Sequence, residues 1–274
     1  MNERVREFYA SVASWVAEHA RERSPERPIF VGINGPQGSG KSTLTHSLVR
    51  LLDDLGLRAV SLSIDDFYLT RAEQVALATR HPDNPCFAQR GYPGTHDLSL
   101  GETTLLELAS LGAGNGRARC PVYDKSAHAG QGDRKPEAEW KTTTAPLDVV
   151  FLEGWMLGFA PVDKSQLPNA HFEPVNEALA EYKRWTSFFD LFLHLSPMKT
   201  EFVVDWRIEA EERMKAEGKA GMTTGQIRAY VEKFLPAYET YLPGLRSHPP
   251  ETPTPACTIV IGQDRLPLSL SVPE

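Results

Sequence analysis

Long apolar runs are missing from this 274-residue chain, and so is any excess of positive charge. No stretch approaches the roughly 18 to 20 apolar residues that span a bilayer. Lysine and arginine total 29 against 36 acidic residues, a net charge of −7, so neither nucleic acid nor an anionic membrane is an expected partner. Any anionic ligand must meet a local cluster of cations instead. Cysteine is scarce: Cys86, Cys120 and Cys257 are odd in number and far apart, which argues against a disulfide framework and fits a reducing compartment. The N-terminal segment carries charges throughout. It lacks the apolar stretch of a signal peptide and the acid-poor pattern of a transit peptide, so a cytoplasmic location is expected. His46, His81, His128 and His171 do not have metal-ligand spacing.

What is present is a core-forming composition, with 41% hydrophobic residues. Residues 1–24 read as an amphipathic helix, because Val5, Phe8, Val12, Trp15, Val16 and His19 recur at three- and four-residue steps. Five short β-rich apolar runs follow: Ile29 to Ile33, Ala59 to Ile64, Asp148 to Leu152, Phe188 to Leu195, and Cys257 to Ile261. Their continuous apolarity predicts strands buried on both faces. A helical pattern through Leu44, Leu48, Leu51, Leu52 and Leu55, ended near Gly56, joins the first two as a βαβ unit. The expected architecture is one α/β domain over residues 1–274, three-layered, with a mostly parallel five-stranded sheet. Residues 69–146 form a helix-and-loop insertion with no comparable strand, its short helices expected around Arg71 to Arg80 and Leu100 to Leu111. Such an insertion reads as a substrate-recognition region. His248 to Pro255, HPPETPTP, reads as a stiff linker before the last strand.

Gly35-Pro36-Gln37-Gly38-Ser39-Gly40-Lys41-Ser42 matches G-x-x-x-x-G-K-[ST], and it follows an expected strand and opens an expected helix, with Thr43 next in the first turn. Its glycines let backbone N–H groups turn toward phosphate oxygens, and the helix N-terminus adds partial positive charge. Lys41 is placed for the β- and γ-phosphates, and the Ser42 hydroxyl for magnesium. ATP and Mg2+ are therefore the expected cofactors. The second strand ends in Asp65-Asp66-Phe67-Tyr68, and the third delivers Glu153, at the strand ends that open onto the ligand crevice of a doubly wound sheet. Glu153 has the position of a metal-directed carboxylate beside Ser42, with Asp65 as a further oxygen donor. Either Asp65 or Asp66 can accept a proton from an attacking hydroxyl, and the other is expected to cap the following turn. Arg90, Lys125 and Arg134, with Tyr123 and Asp97 nearby, suit a small hydroxylated anion. There is no N-K-x-D guanine motif. Leu98-Ser99-Leu100-Gly101-Glu102 lacks the second glycine of a transporter-ATPase signature and reads as a helix start capped by Asp97 or Ser99.

With these residues in view, the chain resembles the plant-type D-glycerate 3-kinase family, within the wider group of phosphoribulokinase, uridine kinase and bacterial pantothenate kinase. The likeness spans nearly the whole chain. It rests on GPQGSGKST at Gly35 to Thr43, SIDDFYLT at Ser63 to Thr70, RGYPGTHDL at Arg90 to Leu98, PVYDKSAHAGQGDR at Pro121 to Arg134, FLEGWMLGF at Phe151 to Phe159, AGM at Ala220 to Met222 and FLPAY at Phe234 to Tyr238. The resemblance implies that Asp65, first in a D-x-F-Y motif, is the general base. It also implies that Arg90, His96, Asp97, Tyr123, Lys125 and Arg134 surround the acceptor. A helix within residues 197–222, carrying Trp206, Arg207 and Arg213, would close over ATP as a lid. The expected activity is phosphorylation of D-glycerate. Two other readings use the same cradle: a kinase for another small hydroxylated metabolite, such as pantothenate, uridine or a ribulose phosphate, and a nucleotide-dependent switch with weak hydrolysis.

Overall fold

The computed structural model describes residues 3–216, 218, 223–247 and 255–271. Strand β1 (Ile29–Asn34) is buried along its whole length, so both faces of the sheet are covered there. Helix α1 (Glu3–Glu22) precedes it and buries Val12, Ala13, Trp15, Val16 and Ala17. Helix α2 (Lys41–Asp54) follows the phosphate motif and leads to strand β2 (Ala59–Ser63). Beyond β2 come helices α3 (Arg71–Arg80) and α4 (Leu98–Ala109). The insertion also contains two short antiparallel ribbons: β3 (Arg117–Cys120) with β6 (Lys141–Thr144), and β4 (Tyr123–Asp124) with β5 (Asp133–Arg134). The chain then returns to the main sheet through β7 (Val149–Gly154), β8 (Leu191–Pro197), β9 (Ala256–Ile261) and β10 (Pro267–Ser271).

The main sheet has the order β10-β9-β8-β1-β7-β2. Its first five strands in sequence run parallel, and β10 is added antiparallel at one edge. The sheet thus has six strands rather than five. The sixth, PLSLS, is short and largely exposed, so it lacks the unbroken apolarity that marked the others. The β3–β6 ribbon escaped the same reading because RARC alternates polar and apolar and KTTT is polar, so neither is an unbroken apolar run.

Register decides where chemistry can gather. Ile33 pairs with Glu153, Asn34 with Gly154, and Ser63 with Glu153. The carboxyl ends of β1, β2 and β7 are therefore level, and the segments that leave them, Gly35 onward, Ile64 onward and Gly154 onward, share one edge. That is the crevice where a doubly wound sheet binds ligands. Asn34, the last residue of β1, fixes the exit of β7: its amide donates to the carbonyl oxygens of Trp155 (3.2 Å) and Leu157 (2.7 Å).

The Leu98 motif is a helix start, capped by Asp97, whose Oδ1 accepts from the Leu100 N–H at 3.0 Å. Trp155, Trp185 and Trp206 are all buried. The helix expected within 197–222 spans Phe202–Ala216. The AGM segment at 220–222 and most of the expected linker, residues 248–254, lie outside the described residues.

Candidate active site

Helix α2 begins without a side-chain cap: Gly40 is its N-cap, with φ 95°, and its first intrahelical bond runs from the Leu44 N–H to the Gly40 carbonyl. The N–H groups of the first turn are left to face the crevice. Gly38 also has a left-handed backbone, φ 76°, and a Cβ there would lie 2.7 Å from the Trp206 Cβ. Only glycine satisfies both the dihedral and the contact. Lys41 folds back over the loop, its Nζ donating to the Pro36 carbonyl at 3.2 Å and lying 3.9 Å from Glu153 Oε2. Burial lowers the pKa of this ammonium, while Glu153 and Asp65 pull it the other way. Ser42 Oγ donates to Glu153 Oε1 at 3.0 Å. The side chains of Ser39 and Gln37 each bury an oxygen without a protein partner, Oγ and Oε1 respectively.

The tip of β2 resolves the two aspartates by local geometry. Ser63 caps the turn Ile64–Phe67, its Oγ accepting from the Asp65 N–H at 3.3 Å. Asp66 completes the capping box by accepting from the Ser63 N–H at 3.5 Å, and it also accepts from the Tyr123 N–H at 3.3 Å. Asp66 is thus turned into the structure, and burial raises its pKa. Asp65 faces the other way, toward Lys125 Nζ at 2.5 Å. Burial alone would raise the pKa of Asp65, but the Lys125 cation and the hydrogen bonds from Lys125 and Tyr68 hold it below the ordinary carboxylate value.

A cavity of about 100 Å³ opens beside Asp65, lined by Tyr68, Gln89, Arg90, Lys125, Gly130 and Tyr230 as well. Of the acceptor residues expected from sequence, Arg90 and Lys125 are in this lining. The Arg90 guanidinium lies over the Tyr123 ring, 5.5 Å from its centroid, and donates to the carbonyls of Gly130 (3.1 Å), Lys125 (3.3 Å) and Gln131. Tyr123 is therefore the floor under Arg90. His96, Asp97 and Arg134 stand behind the lining. His96 stacks on Tyr68 with centroids 4.4 Å apart and bonds through Nδ1 to the Tyr182 hydroxyl at 2.6 Å. Burial lowers its pKa to about 3, so it is neutral at physiological pH. Arg134 bridges the Tyr68 carbonyl (2.9 Å) and Asp97 (3.2 Å). These three brace Tyr68 rather than reach the cavity.

Tyr68, Gln89, Gly130 and Tyr230 were not singled out in the sequence. Tyr68 and Gly130 lie inside quoted motifs and Gln89 directly before one, so adjacency to charged residues was an available signal. Tyr230 comes from the remote helix Thr224–Glu232 and had none. On the Phe202–Ala216 helix, Trp206 packs on Gly38, Arg207 pairs with Glu211 at 2.9 Å, and Arg213 is exposed in the last turn. The FLPAY segment meets the cradle through Tyr238, whose hydroxyl oxygen accepts from the Gln37 N–H at 3.1 Å.

Residues 30–167 match the model of the family described as Phosphoribulokinase / Uridine kinase. A D-glycerate 3-kinase of Cryptococcus neoformans, of known structure, superposes with a TM-score of 0.88 at 32% identity, covering 99% of this chain and all of that one. The chloroplastic D-glycerate 3-kinase of Arabidopsis thaliana is 36% identical over 246 residues, 88% of this chain. The match spans 54% of the Arabidopsis protein's length. A kinase of Schizosaccharomyces pombe described as uncharacterized is 34% identical over 90% of this chain and 93% of its own. Among the described residues no helix is long and apolar enough to cross a membrane.

Proposed function

The chain belongs to the phosphoribulokinase / uridine kinase family, and on that premise we propose that it transfers the γ-phosphoryl group of ATP to the primary hydroxyl of D-glycerate. The observation that carries this reading is the small polar cavity, about 100 Å³, between Asp65 and the cations Arg90 and Lys125. Its lining is mostly polar, and two cations facing one carboxylate suit a small hydroxylated anion. The full-length likeness to a protein named D-glycerate 3-kinase supports the same acceptor.

In this reading the cradle, Gly35 to Thr43, binds the triphosphate, with Lys41 against its β- and γ-oxygens. Asp65, held ionised by Lys125, accepts the hydroxyl proton of the acceptor as its oxygen attacks the γ-phosphorus. The bond from that phosphorus to the bridging β,γ-oxygen breaks, and ADP leaves. Lys125 and Arg90 receive the acceptor's carboxylate, Tyr123 supports Arg90, and His96, Asp97 and Arg134 hold Tyr68 in place. Arg207 and Arg213 lie on the helix that packs against the cradle through Trp206, where the proposed lid role would be to balance phosphate charge.

The donors at the acidic edge are hard oxygens, Ser42 Oγ and Glu153 at 3.0 Å, with Asp65 close enough to act on the same Lys41. This set fits Mg2+, which takes one or two protein carboxylates and completes its shell with water and phosphate. Among the described residues no group of three or more His, Cys, Asp or Glu is placed to hold a metal unaided. When bound, the ion offsets phosphate charge. Three buried free thiols support a reducing, cytoplasmic setting.

A coupled assay for ADP release tests the reading. D-glycerate should drive turnover, with little hydrolysis in its absence. Turnover with uridine or pantothenate and none with D-glycerate would refute the acceptor, and rapid hydrolysis without any acceptor would favour a switch.

A further inference from the structure

The turn between β9 and β10 carries a residue that its own geometry disfavours. The Arg265 N–H closes on the Gly262 carbonyl at 3.0 Å and the Gly262 N–H on the Leu266 carbonyl at 3.1 Å, leaving Gln263, Asp264 and Arg265 as a three-residue loop. The last residue of such a loop takes the left-handed conformation and is ordinarily glycine. Arg265 occupies it with φ 62°. A non-glycine residue persists in that region only when its surroundings over-determine it.

The over-determination lies in the side chain. Arg265 Nε donates to the Gly38 carbonyl at 2.7 Å, Nη2 to the Trp206 carbonyl at 3.4 Å, and Nη1 pairs with Glu209 at 2.6 Å. The guanidinium also lies over the Trp206 ring, 5.6 Å from its centroid. The preceding loop residue grips the same helix, since the Gln263 carbonyl accepts from Trp206 Nε1 at 2.6 Å and the Gln263 amide donates to Asp205 at 3.0 Å. Every one of these bonds ends on the phosphate cradle or on the helix that packs against it.

A cradle binds phosphate through N–H groups, and a carbonyl swung toward the anion would repel it. We propose that Arg265 is a positioning residue for the nucleotide: it holds the Gly38 carbonyl away from the phosphates and ties the cradle to the Phe202–Ala216 helix. The inference rests on the reading of Gly35 to Ser42 as an ATP site. Neither the motif nor the acceptor pocket includes this C-terminal hairpin.

The test is Arg265→Gly, which relaxes the backbone while deleting the guanidinium, with Arg265→Asn as a second variant that also tolerates the left-handed region. Calorimetric titration of the full chain with ADP should show affinity falling on the order of tenfold in both. The KM for ATP should rise in parallel, while the KM for the acceptor and the melting temperature stay near those of the unaltered chain. Arg265→Lys should recover part of the loss. Unchanged ADP affinity in the Gly and Asn variants would overturn the inference, as would an equal rise in both KM values accompanied by a lower melting temperature. Failure of the unaltered chain to bind ADP would instead remove the ATP site itself, and the role of Arg265 with it.

Discussion

Asp65 is a buried carboxyl kept ionised chiefly by Lys125, and that makes its chemistry testable by pH. Burial by itself would raise its pKa, and the Lys125 ammonium at 2.5 Å reverses the sign. A depressed folded value means that ionised Asp65 contributes stability above its unfolded value near 3.9 and loses it as pH falls through the lower folded one. The acid limb of kcat/KM, which reports the free enzyme, is therefore expected below the ordinary carboxylate range. In Lys125→Met the cation is gone and burial remains, so the limb should move to higher pH; a limb that does not move would show that Lys125 leaves Asp65 unaffected. Asp65→Asn should lower kcat by about 10² to 10⁴ with ADP affinity retained, and full activity in that variant would remove the proton-accepting role. The sequence offered two carboxylates here. What separates them is a capping box, Ser63-x-x-Asp66, whose pattern was legible in SIDDF and commits Asp66 to the backbone. His96 was expected around the acceptor from its motif, and its place behind Tyr68 was hidden because nothing in the letters reveals that Tyr182, 86 positions away, takes its ring nitrogen.

Elements carry the division of labour between the two halves of the site. The loop between β4 and β5 contributes Lys125 and Gly130 to the proposed acceptor cavity, with Gly132 at φ 80° where a Cβ would lie 2.5 Å from the Tyr123 ring and 2.8 Å from Arg90. Gly132→Ala should displace both side chains and raise the KM for the acceptor on the order of tenfold, since more than one hydrogen bond to a charged group is at stake, while ADP affinity is unchanged. Gly38→Ala should do the reverse, because its Cβ would strike Trp206 behind the cradle; titration with ADP against acceptor kinetics separates the two. If Gly132→Ala weakened ADP instead, the ribbon would belong to the nucleotide half. These elements differ in how far sequence exposed them. Strands β1, β7 and β8 were plain because burial on both faces demands unbroken apolarity. The ribbons β3–β6 and β4–β5 were hidden because strands of four and two residues are too short for a period to stand out, even though Arg117–Cys120 alternates exposed and buried.

Across the whole molecule, the site is assembled from distant parts of the chain. The cradle at residues 35–43 touches Glu153, Trp206, Tyr238 and Arg265, and the proposed acceptor cavity joins Asp65 and Lys125 to Tyr230. The motifs gave most local pieces, though not Tyr230 or Arg265, and the parallel strands implied a common edge. The order β8-β1-β7-β2, which makes that edge a crevice, follows from pairings that no single segment encodes. A site so distributed ties nucleotide binding to the folding of the entire unit rather than to one lobe. ADP at a hundred times its dissociation constant adds about 2.7 kcal/mol of stability by mass action, which corresponds to a rise of roughly 5 to 10 °C in the melting temperature of a domain near this size. The expected calorimetric trace is one transition that moves as a whole with ADP. Two transitions, of which only one responds, would mean that the 69–146 insertion unfolds independently and that its residues are not held to the cradle by the shared core.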